Sequence, residues 1–369
     1  MKNTIAFVHS VAEIGGAERM SEALIDGLAE HAELAPLLVV PEAGPFSVHV
    51  AKKGCPVLVT DLPQPEFSSP LGTIRHAFKL AKQFKQANIS LLQCADLVCT
   101  RAVLPAAKIA GIPVLCHMHF PVEAGYVNWV FKRMPKPAGF VYCSEELMHA
   151  TQTPLANACP HASHDVIHNG VDIERFSPNL SSNAVPHVGI VANLQERKGH
   201  IDFLDMAKLL SDQQYNVHYD IIGGDILQAP RQSLLEDYAS SQGIRDKVTF
   251  HGQVDNVLAL LGKLDVMVCA SHQEAFPVSI LEAMAMQKAI VSTNVNGIPE
   301  AIVDEQCGIL VPPHNPQALS DGVKRLLDNE SLRQALADAA RQRVVSEFSL
   351  QAYLDKFTRV YRRTLTGQK

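Results

Sequence analysis

The chain has 369 residues, 47% of them apolar and 19% charged, which calls for two globular domains at roughly 150 residues each and excludes a disordered or collagen-like chain. With 32 Lys and Arg against 38 Asp and Glu, the net charge is −6, so nothing overall favours a nucleic-acid partner. No apolar run approaches the ~18 residues that cross a bilayer. The run from Ile5 to Val8 is too short for a signal-peptide core. Eight cysteines, at 55, 94, 99, 116, 143, 159, 269 and 307, form no Cys-x2-Cys pair and read as small core hydrophobes of a reducing compartment. The expected location is the cytoplasm.

Short β-rich apolar runs come first at Thr4–His9, Leu37–Val40, Val57–Thr60, Ser90–Gln93, Val114–His117 and Phe140–Tyr142. A second series follows at Val188–Ala192, Val217–Ile222, Val248–His251, Val266–Ala270, Ala289–Ser292 and Ile309–Val311. Helix-patterned segments follow most of these runs, so the fold class is α/β, with two parallel doubly wound sheets. Between the series, Asn169 to Pro186 carries Gly170, Pro178, Pro186 and the stretch NLSSN, the composition of a linker. The expected domains are 1–170 and 171–348, with a last helical segment, 349–369, packing back across the junction. In open α/β sheets ligands sit beyond the carboxyl ends of the strands, so the chemistry belongs in those loops.

After the first run, Glu13-Ile14-Gly15-Gly16-Ala17-Glu18-Arg19 leads into a helix pattern. Gly15 and Gly16 would let the backbone approach a phosphate or sugar at a helix N-terminus; a plain tight turn is the competing reading. The Gly-x-Gly-x-x-Gly, Walker and Gly-x-Ser-x-Gly motifs are absent from the sequence, which weakens dehydrogenase, ATPase and hydrolase readings. The strongest local signal runs from Ser271 to Ala285. Pro277 suits a helix first turn, the N–H groups of Phe276 and Val278 would lie near that helix end, and Ala275 lies just before them. Glu274 and Glu282 stand eight residues apart, placed for different hydroxyls of one elongated ligand or, more plainly, as a helix-end acid and an exposed Glu. In the loop Asn193-Leu194-Gln195-Glu196-Arg197-Lys198, Arg197 and Lys198 suit a pyrophosphate, against a solvated basic turn.

Together with His168-Asn169-Gly170-Val171-Asp172 and Asn296-Gly297-Ile298-Pro299-Glu300, these residues occur in the order found in retaining glycosyltransferases of family 4, which the chain resembles over nearly its whole length. The resemblance implies a GT-B fold, two Rossmann-like domains facing across a cleft, with the N-terminal one binding the acceptor and the C-terminal one a nucleoside-diphosphate sugar. It implies Glu282 on the ribose hydroxyls, Glu274 with the N–H groups of Phe276 and Val278 on the sugar, and Lys198 on the diphosphate, assisted by Arg197. Where the family commonly has an Arg five residues before that Lys, this chain has Asn193. His119 falls where similar enzymes carry a His reaching the donor sugar; His117 is a buried alternative. The family needs no metal or other cofactor. Consistently, the chain has no Asp-x-Asp, and His161, His164 and His168 sit in a Pro- and Asn-bearing loop without a matching carboxylate pattern.

Residues 70–140 hold nine basic residues, at 75, 79, 82, 85, 101, 108, 132, 133 and 136, against two acids, Asp96 and Glu123. Leu71, Ile74, Phe78 and Ala81 form one stripe of a helix there, with Arg75, Lys79 and Lys82 beside it. Tyr126, Trp129 and Phe131 adjoin Lys132, Arg133 and Lys136. This face suits an anionic acceptor, such as a lipid-linked sugar diphosphate at the inner membrane surface, or is an ordinary solvated face. The expected activity is retaining, metal-independent transfer of a hexose-type sugar to a hydroxyl of a growing cell-surface glycan. A nucleotide-sugar epimerase and a non-catalytic sugar-nucleotide binding protein are the alternatives.

Overall fold

The structure, a computed structural model, describes residues 2–10, 15–66, 68–178, 183–226, 229–254 and 256–367. Part of the expected linker, 179–182, and the Glu13-Ile14 end of the glycine motif lie outside the described residues. The chain divides into two compact units, Met1–His168 with Gln351–Lys369, and Asn169–Leu350.

The first unit contains β1 (Asn3–Val8), α1 (Gly16–Ala29), β2 (Leu34–Val40), α2 (Pro45–Lys52), β3 (Val57–Val59), α3 (Pro70–Gln86) and β4 (Ile89–Cys94). It continues through α4 (Leu97–Ala110), β5 (Val114–Met118), α5 (Ala124–Phe131), β6 (Gly139–Tyr142), α6 (Glu145–Ala158) and β7 (Ser163–Val166). Its seven strands are parallel in the order β3-β2-β1-β4-β5-β6-β7. The central strands bury both faces, which is why β1 reads as the continuous run Ile5-Ala6-Phe7-Val8 with all four residues inside. Helix starts are capped from the sequence: Asp96 accepts from the Cys99 N–H at 2.7 Å at the head of α4, and Ser144 accepts from the Leu147 N–H at 3.2 Å at the head of α6.

The second unit contains β8 (His187–Val191), α7 (His200–Asp212), β9 (His218–Ile222), α8 (Gln232–Ser241), β10 (Val248–Gly252), α9 (Val257–Lys263) and β11 (Val266–Cys269). α10 (Val278–Ala285), β12 (Ala289–Thr293), α11 (Ile298–Ala301), β13 (Ile309–Val311), α12 (Pro316–Asp328) and α13 (Glu330–Glu347) complete it. Six parallel strands run β10-β9-β8-β11-β12-β13. Val188, Tyr219, Ile221 and Val268 from the sheet and Phe203, Leu235 and Leu319 from α7, α8 and α12 share one buried core.

The last helix, α14 (Leu350–Thr366), buries Tyr353, Phe357, Val360 and Tyr361. From Gln351 on it belongs to the first unit, where the Tyr361 hydroxyl donates to the Gln93 side chain. Gly27 of α1 makes room for it: a Cβ there would fall 2.4 Å from the Leu354 side chain.

Three expectations change. The segment around His164 is not a loop but the strand β7, whose residues Ser163-His164-Asp165-Val166 are all half-buried; a sheet-edge strand has no continuous apolar run to announce it. The stretch 316–347 is two helices, broken where Asn329 accepts from the Leu332 N–H at 2.9 Å. In α3 the buried face is Ala77, Leu80, Ala81 and Phe84, so of the expected apolar stripe only Ala81 turns inward. Leu71, Ile74 and Phe78 are exposed, at 81%, 52% and 59%.

Candidate functional site

Each sheet reverses its winding order once, between β1 and β4 in the first unit and between β8 and β11 in the second. Loops leaving the carboxyl ends of such a strand pair diverge and leave a crevice for a ligand. In the second unit those loops carry Lys198 and Glu274.

The loop after β8 is fixed by backbone contacts. The Ala192 N–H donates to Ile222 O and the Leu194 N–H to Gly224 O, both at 3.0 Å. Gly223 (φ +144°) passes so close that a Cβ would lie 2.0 Å from Ala192 O. A turn of 3-10 helix, Glu196–Lys198, ends at Gly199 (φ +70°), where a Cβ would lie 1.9 Å from Ala270 O. Only glycine combines that left-handed backbone with so close an approach. The result sets Lys198 against the loop after β11.

There the Lys198 Nζ forms an ion pair with Glu274 Oε1, the two side chains being 15% and 9% exposed. An ion pair this far from water needs further hydrogen bonds to hold its geometry, and it has them. The Ser271 hydroxyl donates to Glu274 Oε1 at 3.2 Å, the Glu274 N–H donates to Asn296 Oδ1 at 3.2 Å, and the Gly297 N–H donates to Glu274 O at 3.3 Å. Thr293, at the end of β12, donates through its hydroxyl to Ser271 O at 2.6 Å. Glu274 is thus held by loops from two neighbouring strands.

Arg197 is directed into the loops: its Nε donates to Gln195 Oε1 at 2.7 Å and its Nη1 to Gln273 O at 3.3 Å. Its carbonyl accepts from the His272 N–H at 2.7 Å, and His272 Nε2 meets Asp202 Oδ2 at 2.8 Å. Pro277 is the cap before α10 rather than a residue of its first turn, so Val278 is the first helical residue and its N–H has no partner one turn earlier in the helix. Ala275 is half-buried just ahead. Phe276 is buried against Phe348, ring centroids 5.4 Å apart, and its carbonyl accepts from Asn169 Nδ2 at 2.9 Å. Glu282 lies in the second turn of α10, 8% exposed.

Two buried acceptors beside these loops, Asn169 Oδ1 and Asn193 Oδ1, have no hydrogen-bond partner among the described residues. Buried amide oxygens nearly always find donors, so both suit a ligand that brings hydroxyl or N–H groups. His200, at the head of α7, is held neutral: burial pulls its pKa down to about 4, and the nearby charges of Lys198 and Arg231 act in the same direction.

In the first unit the corresponding loops hold different chemistry. Gly15 caps α1 with extended backbone (φ −114°), its N–H donating to Glu18 Oε2 at 3.0 Å. At Gly16 a Cβ would meet no atom within 4 Å, so neither glycine is required by a left-handed turn. Burial pushes the Glu18 carboxyl up, but the hydrogen bond and charge of His9, 3.2 Å away, together with the N–H groups of Glu18 and Gly15, outweigh it and leave its pKa lowered. Beside it the Ser10 hydroxyl donates to Asp96 Oδ2 at 3.1 Å.

His117 and His119, from β5 and the loop after it, lie with ring centroids 4.0 Å apart. Burial pulls His119 down to about 4 and His117 well below its ordinary value, the neighbouring His119 adding to the effect. His117, packed on Phe357 and 1% exposed, lies at the wall of a cavity of about 370 Å³ that it shares with His119, Asp96, Phe120, Glu123 and Tyr126. His119 Nε2 has no partner among the described residues. Arg101, counted in the basic face, is internal: it is 3% exposed, donates to the carbonyls of Pro65, Trp129 and Val130 at 2.9–3.1 Å, and lies over the Trp129 ring.

The sequence reading selected Lys198, Glu274 and the 275–278 turn, and did not select Asn169, Ser271, Thr293, Asn296 or Gly199 as site residues. The left-handed Asn296-Gly297 corner (Asn296 φ +44°) and the Lys-Gly step before a helix were the available signals.

A family model described as Glycosyl transferases group 1 matches residues 172–343, and one described as Glycosyltransferase Family 4 matches residues 14–175. The chain is 30% identical to an alpha-D-kanosaminyltransferase of Streptomyces kanamyceticus over 48% of its own length and 45% of that protein, less than half of the relative. It is 27% identical to the N,N'-diacetylbacillosaminyl-diphospho-undecaprenol alpha-1,3-N-acetylgalactosaminyltransferase of Campylobacter jejuni, over 79% of this chain and 83% of that one. A glycosyltransferase structure from Rickettsia africae superposes with a TM-score of 0.84 over 99% of both chains at 22% identity. Anabaena HepE in complex with UDP-glucose gives 0.82 over 97% of this chain and 99% of that one at 19% identity. At such identities the two structures establish the fold alone.

Proposed function

As the chain belongs to glycosyltransferase family 4 and has the two doubly wound domains of the GT-B fold, we propose that it transfers a sugar from a nucleoside-diphosphate donor to a hydroxyl of a glycan or lipid-linked acceptor, with retention of configuration and without a catalytic metal. The observation that carries this reading is the Lys198–Glu274 pair at the winding reversal of the second unit. Lys198 supplies the compact charge for a departing diphosphate. Glu274, fixed by Ser271, Asn296 and Gly297, orients the sugar hydroxyls, while Glu282 takes the ribose. The Phe276 and Val278 N–H groups, with Ala275 and Pro277 shaping the turn, line the sugar's other side. Arg197 acts by tying the two loops together. In the first unit Gly15, Gly16 and the neutral His119 offer backbone and imidazole hydrogen bonds to sugar hydroxyls.

In the transfer, the acceptor oxygen bonds to the anomeric carbon on the face from which the diphosphate departs. The carbon–oxygen bond to phosphate breaks with its electron pair leaving on the diphosphate, and the acceptor proton passes to a phosphate oxygen. Glu274 stays a positioning and electrostatic group. The names of the relatives support glycan synthesis as the setting: besides the Campylobacter enzyme, a capsular polysaccharide glycosyltransferase of Staphylococcus aureus is 25% identical over 72% of this chain. Incubation with a panel of UDP-, GDP- and ADP-sugars tests the reading. Acceptor-dependent nucleotide release supports it; interconversion of the sugar, or binding with no turnover, favours the epimerase or the silent binding protein.

The exposed Leu71, Ile74 and Phe78, flanked by the exposed Arg75, Lys79 and Lys82 on α3, favour a peripheral contact with an anionic membrane surface on the cytoplasmic side. No helix among the described residues is long and apolar enough to cross a membrane. Sedimentation with anionic and neutral vesicles tests the contact: equal binding to both, or to neither, refutes it.

A further inference from the structure

Three histidines that no transfer chemistry uses converge on one carboxylate in the second unit. His187 opens β8, His218 opens β9 beside it in register, and Asp220 follows two residues later on the same face. Thr249 of β10 pairs with Asp220, and His251 lies two residues beyond Thr249. The alternate residues Val217, Tyr219 and Ile221 enter the core with Phe203 and Leu235, so the histidine side is the opposite one. It is partly open: the side chains of His187, His218 and His251 are 25%, 31% and 20% exposed, while Asp220 is 8% exposed.

The groups converge closely. His187 Nδ1 lies 2.7 Å from Asp220 Oδ2 and His251 Nε2 lies 2.7 Å from Asp220 Oδ1. His218 Nε2 is 4.0 Å from Oδ1 and 2.9 Å from the Thr249 hydroxyl. The ligand atoms of His187, His218 and Asp220 all lie within 4.8 Å of one another. Bonds of 2.0–2.2 Å in a tetrahedron put neighbouring ligand atoms about 3.4 Å apart, so these three side chains need to shift by less than about 1 Å to enclose an ion, and His251, already on Asp220 Oδ1, turns from that contact to become the fourth ligand. Three imidazoles and one carboxylate form a donor set suited to zinc rather than to magnesium or calcium.

We propose that His187, His218, His251 and Asp220 form a binding site for a zinc-class divalent cation that clamps β8, β9 and β10 together. Four protein ligands close the coordination sphere, which makes the ion structural. None of the four belongs to the Lys198–Glu274 site, so the proposal is independent of the transferase reading. A second grouping, Asp202, His272 and His314, serves as an internal control, because His272 is already tied to the loop that carries Glu274.

The full-length protein, stripped with a chelator and dialysed at neutral pH, is titrated calorimetrically with Zn²⁺ alone, and its melting is followed with and without the ion. One Zn²⁺ per chain is expected, with affinity at least ~100-fold above that of His187→Ala/His251→Ala and a higher melting temperature in the wild type only. His218→Ala, which removes one half-exposed ligand, lowers affinity at least ~10-fold and covers the case in which the double variant does not fold. His314→Gln binds as the wild type does. Absence of stoichiometric binding, binding undiminished in folded His187→Ala/His251→Ala or in His218→Ala, or binding lost in His314→Gln overturns the proposal.

Discussion

The two units share one framework and one place for a ligand, yet their side chains at that place differ in kind. In the second unit the polar groups are charged and cross-tied: Lys198 is paired with Glu274, and Glu274 is held by Ser271, Asn296 and Gly297. In the first, the loops after β1 and β4 hold two acids, Glu18 beside His9 and Asp96 beside Ser10, while the two histidines at the end of β5 are neutral and His119 keeps an unsatisfied ring nitrogen. A leaving diphosphate requires fixed positive charge, which Lys198 supplies, whereas sugar hydroxyls bond to carboxylates and to neutral imidazoles alike. The fold sets where a ligand goes; the loop residues set which part of the reaction each unit can serve.

The sharpest way to break this contrast is to remove the charge. Lys198→Ala is expected to lower turnover ~100- to 1,000-fold, about 3–4 kcal/mol of transition-state stabilisation, in a protein that melts like the wild type. His119→Ala, removing a neutral group, is expected to cost no more than about tenfold in steady-state kcat/KM. Equal losses in the two variants would erase the distinction between the units.

Backbone comes next. Gly199→Ala places a Cβ 1.9 Å from Ala270 O at φ +70°, and a loss of about 3 kcal/mol of stability is expected, read from denaturant melts. Gly16→Ala, where a Cβ meets no atom within 4 Å, is expected to change stability by less than ~0.5 kcal/mol. A destabilised Gly16→Ala would show the first unit's loop to be as constrained as the second's.

Acid distinguishes the histidines from the ion pair. His119 and His200 have folded pKa values of about 4 against an ordinary 6.5, so below pH 6.5 the unfolded chain takes up protons that the folded one refuses. The stability they contribute is complete above pH 6.5 and drains away as pH falls towards 4, by up to about 3 kcal/mol for each. His119→Gln should flatten part of that decline in melting temperature; an unchanged slope would deny the neutral imidazole. The smallest expected effect on the donor site is Glu282→Ala, which weakens nucleotide-sugar binding about tenfold, the worth of hydrogen bonds to a charged group.

Much of this was legible in the chain. The alternating runs specified both sheets because central parallel strands must be apolar on both faces, and β7 escaped because an edge strand need not be. Glu274 and Lys198 stood out because each follows a clear strand and precedes a helix. Their pairing was not legible, since it depends on Gly199 and Ala270 touching across 71 residues of sequence. Asn169 and Asn296 were visible only as parts of a resemblance. Their roles, one donating to Phe276 O and one accepting from the Glu274 N–H, are tertiary. In the same way, His161, His164 and His168 drew notice by spacing, but His164 bonds to the Tyr142 hydroxyl at 2.7 Å. The histidines that do converge, His187, His218 and His251, lie one strand-helix repeat apart, a period that short-motif reading does not sample.

The most direct test is calorimetric titration of the wild type, Lys198→Ala and Glu274→Gln with the nucleoside diphosphate that binds in a donor screen. The account predicts at least a tenfold weaker complex for Lys198→Ala, and for Glu274→Gln a complex as tight as the wild type or tighter, with turnover lost, because the carboxylate that engages the ammonium has gone. A diphosphate bound equally well by the wild type and Lys198→Ala would contradict it.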